Sequence, residues 1–110
     1  MQILINNSNE LTVAKQYKEF TLVLFFDKVS NFYVASARVN NKQVATATFA
    51  NSKRMGGWCG TDISVDKKFR RLGIMNELYN WVEDSVGSKL VPTKTLTKDS
   101  KAFWAARLGN

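Results

Sequence analysis

The chain has no histidine and only one cysteine, Cys59. The first absence removes Ser-His-Asp and Cys-His catalysis and every zinc site that needs imidazole. The second removes any internal disulfide and any multi-cysteine metal site. With no imidazole to activate it, Cys59 reads as an inert small residue near a strand. Proline occurs once, at Pro92, and no Pro/Gly/Ser-rich tract divides the chain. No uninterrupted apolar run exceeds the five residues Leu22–Phe26, far short of a bilayer span. The opening Met1-Gln2-Ile3-Leu4-Ile5-Asn6-Asn7 lacks the basic and apolar regions of a secretory signal. These absences lead us to expect one domain, 1–110, in the cytoplasm, with no membrane contact and no metal.

What is present suits a folded domain. The 110 residues are 45% hydrophobic and 23% charged. A chain of this length buries roughly two-thirds of the surface it exposes when unfolded, enough for a core without staples. Sixteen basic residues face nine acidic ones, a net charge of +7, and residues 53–110 carry most of the excess. Such a balance points to an anionic partner: nucleic acid, a phosphorylated cofactor or an acidic protein.

Patterning predicts the elements. Met1 to Ile5 reads as a strand. Leu11, Ala14, Tyr17, Phe20 and Leu24 recur at spacings of three and four, so 8–28 reads as mostly helix, although Thr21 to Phe26 would also suit a buried strand. Phe32–Val39 and Gln43–Phe49 alternate around Asn40-Asn41, a hairpin signature. Trp58–Val65 is a further strand. Ile74, Met75, Leu78, Trp81, Val82 and Val86 mark an amphipathic helix that Gly87-Ser88 ends. Lys89–Thr95 is a short strand, and a last helix carries Ala102, Phe103, Ala106 and Arg107. The expected class is α/β: a mixed, mostly antiparallel sheet with helices on both faces. A βαβ crossover makes Trp58–Val65 and Lys89–Thr95 parallel.

The chemistry concentrates in Val65-Asp66-Lys67-Lys68-Phe69-Arg70-Arg71-Leu72-Gly73-Ile74-Met75, where a strand ends and a helix opens on glycine. The first amides of a helix lack internal partners, and the helix dipole favours an anion beside them. Gly73 permits close approach to the backbone. Lys67, Lys68, Arg70 and Arg71 surround the same point, and the arginines are suited to gripping phosphate oxygens in pairs.

This segment resembles the coenzyme-binding motif of the GNAT N-acetyltransferase superfamily. That motif runs valine, any, often proline, any, aromatic, Arg or Gln, any, any, glycine, any, Gly or Ala. Val65, Phe69, Arg70 and Gly73 match it. The tail Ala102 to Gly109 is similar to the family's last helix, which often ends in Leu-Gly-Phe. The resemblance implies a GNAT-like fold and acetyl-CoA as co-substrate. It implies that the pyrophosphate lies against Arg70, Arg71, Leu72, Gly73, Ile74 and Met75, and that the pantetheine pairs along the strand through Ile63, Ser64 and Val65. An amide near Ile63 or Ser64 then polarises the thioester, and an amine attacks directly in a ternary complex.

The chain departs from the family's pattern in three places. Met75 stands where the family has Gly or Ala. The family's tyrosine general acid falls on Ala105 or Trp104, depending on the alignment, and leaves Ser100 as a substitute. The sequence stops before the family's last two strands, which leaves Lys89–Thr95 an edge that a homodimer would cover. Asp62, on the strand lining the cleft, is the candidate general base. The alternative function is an inactive GNAT-like binding protein of phage virion or host-takeover type, virion-associated if phage-encoded. It would act through protein or nucleic-acid contacts. A nucleic-acid role is secondary, because aromatic and basic residues are not interleaved.

Overall fold

The computed structural model describes residues 2–7, 10–93 and 98–107, with side chains described for 11–93 and 101–107. Six strands form one antiparallel meander: β1 (Gln2–Asn7), β2 (Glu10–Tyr17), β3 (Phe20–Asp27), β4 (Phe32–Val39), β5 (Lys42–Ser52) and β6 (Gly57–Val65). Two helices follow, α1 (Ile74–Val86) and α2 (Lys98–Arg107). Between α1 and α2, Val91 makes a parallel bridge to Cys59. The expected crossover is therefore present. Within 89–93, however, the expected strand amounts to that one bridge, and 94–97 lie outside the described residues.

The helix expected over 8–28 is a hairpin of β2 and β3. Tyr17 pairs with Phe20, and each strand continues in register to Glu10↔Asp27. Lys18 turns the chain at φ 55°, with no glycine to announce the reversal. The helical spacing of Leu11, Ala14, Tyr17, Phe20 and Leu24 came from running two alternating strands together across this turn. Within β3 the buried residues Phe20, Leu22 and Leu24 alternate, and the β-branched and aromatic content suits a pleated strand. The second hairpin is as expected. Asn40 and Asn41 both take positive φ, 52° and 62°, and the Arg38 guanidinium donates to the Asn41 carbonyl at 3.0 Å.

One face of the sheet is packed. Leu24 lies opposite Ala35, which lies opposite Ala47; Leu22, Ala37 and Ala45 continue the row beside it. All six are buried. The alanines leave room for α1, whose Ile74, Leu78 and Val82 are buried and stabilise the fold by roughly 1.5–3 kcal/mol each. Tyr79 meets Phe49 of β5 edge-on, with ring centroids 5.0 Å apart. Lys15 of β2 lies over Trp81 at 5.0 Å. Phe103 and Trp104 of α2 pack on Tyr79 in turn, at 4.9 and 5.7 Å. Both helices thus lie on one face, where helices on both faces were expected, and the molecule is only 20 Å thick. The opposite face, with Val23, Phe25, Phe32 and Val34 half-buried, meets no helix among the described residues. Gly87 ends α1 at φ 74°, and its amide donates to the Glu83 carbonyl at 2.9 Å. Neither helix is long and apolar enough to cross a membrane.

Candidate functional site

The pairing between β5 and β6 is interrupted at one point. Thr46 faces Ser64 and Thr48 faces Thr61, so Asp62 and Ile63 together oppose Ala47. This is a β-bulge, a device that bends a strand and re-aims its side chains. Asp62 takes φ 45° within it, a conformation that aspartate tolerates better than most residues. The simple alternation of Asp62 and Ser64 against Ile63 and Val65 therefore fails at Asp62, the extra residue. Ile63 is 45% exposed, and its Cδ1 would stand 3.1 Å from a Cβ on Gly60.

Beyond Val65 the chain forms a 3-10 turn, Lys67–Phe69, tied down at several points. Asp66 donates its amide to the Val44 carbonyl at 2.8 Å, and Phe69 packs edge-on against Phe20 at 5.8 Å. The Arg70 Nε donates to the Val65 carbonyl at 3.1 Å, which holds the loop back onto the end of β6. Arg71 takes φ 65° and Gly73 φ 81°. At Gly73 a side chain is excluded twice, by that φ and by the Tyr17 hydroxyl 2.9 Å from the Cβ position. The same hydroxyl donates to the Leu72 carbonyl at 3.4 Å. Among the described residues no side chain caps α1, and the first amides of a helix have no partners within it.

These elements enclose a cleft of about 1020 Å³, at the upper end of small-molecule sites. Of the expected coenzyme residues, Ile63, Ser64, Val65, Arg70, Arg71, Gly73, Ile74 and Met75 all line it. Leu72 does not; it is 42% exposed and contributes its carbonyl to Tyr17. Met75 is partly buried, packing against the core while bordering the cleft. The two expected catalytic residues are not among the lining residues. Asp62 is exposed on the bulge, and among the described residues no ion pair joins it to Lys53 or Arg54. Ser100 belongs to α2, but its side chain is outside the described residues.

Sequence reasoning missed the inner wall, formed by Gly60, Tyr79, Val91, Thr93, Phe103 and Trp104. One signal was available: glycine inside a strand marks the close approach of another group. At Gly60 that group is the Tyr79 hydroxyl, 2.5 Å from where a Cβ would stand. Burial pushes this phenol up to about 12, while the nearby Arg107 guanidinium pulls it part of the way back. Its protonated form is the one the fold prefers. The stability it contributes is complete below its ordinary value of 10.0 and is lost as pH rises toward 12. Across that window the wild type should lose about 2–3 kcal/mol more than Tyr79→Phe does, read by urea denaturation. Cys59 is buried, and burial pushes its thiol up, as suits an inert residue. Among the described residues no three His, Cys, Asp or Glu side chains gather as a metal site would need.

The model of the acetyltransferase (GNAT) family matches residues 4–109. The chain belongs to the GNAT family. No curated protein and no solved structure matches it. Membership places this GNAT chain among the acyltransferases in general, and the family uses acetyl-CoA as co-substrate. The geometry of the cleft fits that co-substrate. The first turn of α1 offers uncapped amides and the loop offers Lys67, Arg70 and Arg71. β6 is an outer strand of the six-stranded sheet, and Ile63 provides exposed apolar surface on it.

Proposed function

We propose that this chain is an acetyl-CoA-dependent N-acetyltransferase that moves the acetyl group to an amine by direct attack. The observation that carries the reading is the convergence of a helix start opening on glycine, a basic loop and the outer strand β6 on one cleft. In this reading the pyrophosphate rests on the first-turn amides of α1, with Lys67, Arg70 and Arg71 around it. The pantetheine arm pairs along Ile63 to Val65 as an added strand. In the same reading an amide at the bulge polarises the thioester carbonyl, a bulge being a place where a strand re-aims its groups. The amine attacks the carbonyl carbon, the C–S bond breaks, and the thiolate takes up a proton. Asp62, exposed on the bulge and outside the cleft lining, is proposed to accept through a water molecule the proton that the amine loses.

Calorimetric titration with acetyl-CoA, and with CoA as comparison, tests the reading. One saturable site per chain is expected. Absence of heat and of any melting shift at millimolar coenzyme would sink it, and would favour a binding protein that kept the fold without the chemistry.

A further inference from the structure

We infer that Tyr79 limits the length of the acyl chain this site accepts: its phenol, seated on Gly60 where β6 and the Val91 segment meet, closes the far end of the cleft to all but short acyl groups. The inference rests on the coenzyme site proposed above.

The cleft has a definite vertex. β6 and the following segment are joined at Cys59↔Val91, where the Val91 amide donates to the Trp58 carbonyl at 2.8 Å. Gly60 is the next residue of β6 after that bridge and lines the cleft. The space above it is already filled. The Tyr79 Oη, the Ile63 Cδ1 and the Tyr79 Cζ stand 2.5, 3.1 and 3.2 Å from the Cβ position there. The strand carries glycine at this point because the phenol lies directly on its backbone.

The wall is also rigid. The Tyr79 ring is 1% exposed. Phe49, Phe103 and Trp104 meet it edge-on at 5.0, 4.9 and 5.7 Å, and the Arg107 guanidinium lies over it at 5.2 Å. A ring held on several sides does not swing aside for a longer tail, since close-packed interiors yield little.

Its position along the cleft fits an acyl terminus. Tyr79 is five residues into α1, about 7.5 Å along the axis from the helix start that would hold the pyrophosphate. Along β6, the five residues from Val65 back to Gly60 span roughly 16 Å. An arm anchored at the helix start and laid along β6 therefore brings its thioester toward Gly60. The acyl tail then meets the phenol.

The test is calorimetric titration of the wild type, Tyr79→Leu and Tyr79→Phe with CoA, acetyl-CoA, propionyl-CoA and octanoyl-CoA. The wild type is expected to bind acetyl-CoA at least about tenfold more tightly than octanoyl-CoA. In Tyr79→Leu the gap should narrow to within about threefold through a gain for octanoyl-CoA, with CoA itself unchanged within about threefold. Circular dichroism establishes that the variant is folded. If Tyr79→Leu does not fold, Tyr79→Phe carries the test: loss of one oxygen should improve propionyl-CoA relative to acetyl-CoA and leave octanoyl-CoA excluded. Equal wild-type affinity for acetyl-CoA and octanoyl-CoA, or an unchanged ratio in a folded variant, overturns the inference while leaving the coenzyme site standing. Failure of the wild type to bind CoA at all removes the site, and the length limit with it.

Discussion

Arg107→Ala is expected to destabilise the fold by about 3–5 kcal/mol, the effect of stranding a buried charge. Arg107 ties α2 to α1 through charge and hydrogen bonds. Its side chain is 8% exposed and that of Glu83 10%, and the two meet at 2.9 Å. The other terminal nitrogen donates to Asn80 Oδ1 at 3.2 Å and to the Asn76 carbonyl and side chain. The guanidinium also lies over the rings of Tyr79, Phe103 and Trp104. Glu83 has work of its own, since its second oxygen accepts the Leu90 amide at 2.9 Å and so fixes the chain as it leaves α1. Alanine at 107 leaves that carboxylate in the interior, opposed among the described residues by the exposed Lys89 at 3.8 Å. The Arg107 Nε has no partner among the described residues, which slightly reduces what the pair contributes. Equilibrium denaturation measures the loss. Adding Glu83→Gln should recover part of it, because the stranded charge is then gone. A loss below about 1 kcal/mol would mean that ring packing alone holds α2.

The second large effect is on binding. Lys67→Glu combined with Arg71→Glu is expected to weaken CoA affinity by about 100-fold, from two lost charge-assisted contacts and the repulsion that replaces them. Both side chains are exposed and both residues line the cleft. Neither bears on the core, so the melting temperature should move little. The salt dependence of binding should flatten in the variant, since screening acts on the charges removed. Titration at two ionic strengths reads both. A variant that binds CoA as the wild type does would move the coenzyme away from this loop. Arg70 is the less suitable position for the test, because its Nε also holds the loop to the Val65 carbonyl.

These two sites differ in how far the sequence announced them. The segment Val65 to Met75 was legible because its signals are local: a strand end, a cluster of positive charge and a glycine opening a helix. Each depends on neighbours within a few residues, and the structure gathers nearly all of them in one cleft. The Asn40-Asn41 hairpin and the Gly87 stop were legible for the same reason. The β2–β3 hairpin was not. Its reversal at Lys18 uses an ordinary residue at positive φ, so two strands of period two imitated one helix. The bulge was hidden too, because an extra residue is defined only by the partner strand that lacks it. The inner wall was hidden for a third reason. Tyr79 and Gly60 are nineteen positions apart, and on α1 the tyrosine looks like any other core-facing residue. Arg107 was legible as a basic residue near a helix end, but not as a buried one.

The strand order has a consequence for how the protein comes into being. Every neighbour in the sheet is also the next strand in the chain. Such a meander has low contact order, and it can grow hairpin by hairpin with small loop-closure entropy at each step. The cleft is different in kind. Its vertex joins Cys59 to Val91, and its inner wall adds Phe103 and Trp104 from the far end of the chain. Those contacts close the longest loop of the β6–α2 half, and they depend on α1 and α2 already lying on a finished sheet. Native-state hydrogen exchange would then divide the molecule into a slowly opening meander and a faster-opening cap of α2 with the Val91 segment. The cleft is then the last part to assemble and the first to come apart, on a sheet that persists without it.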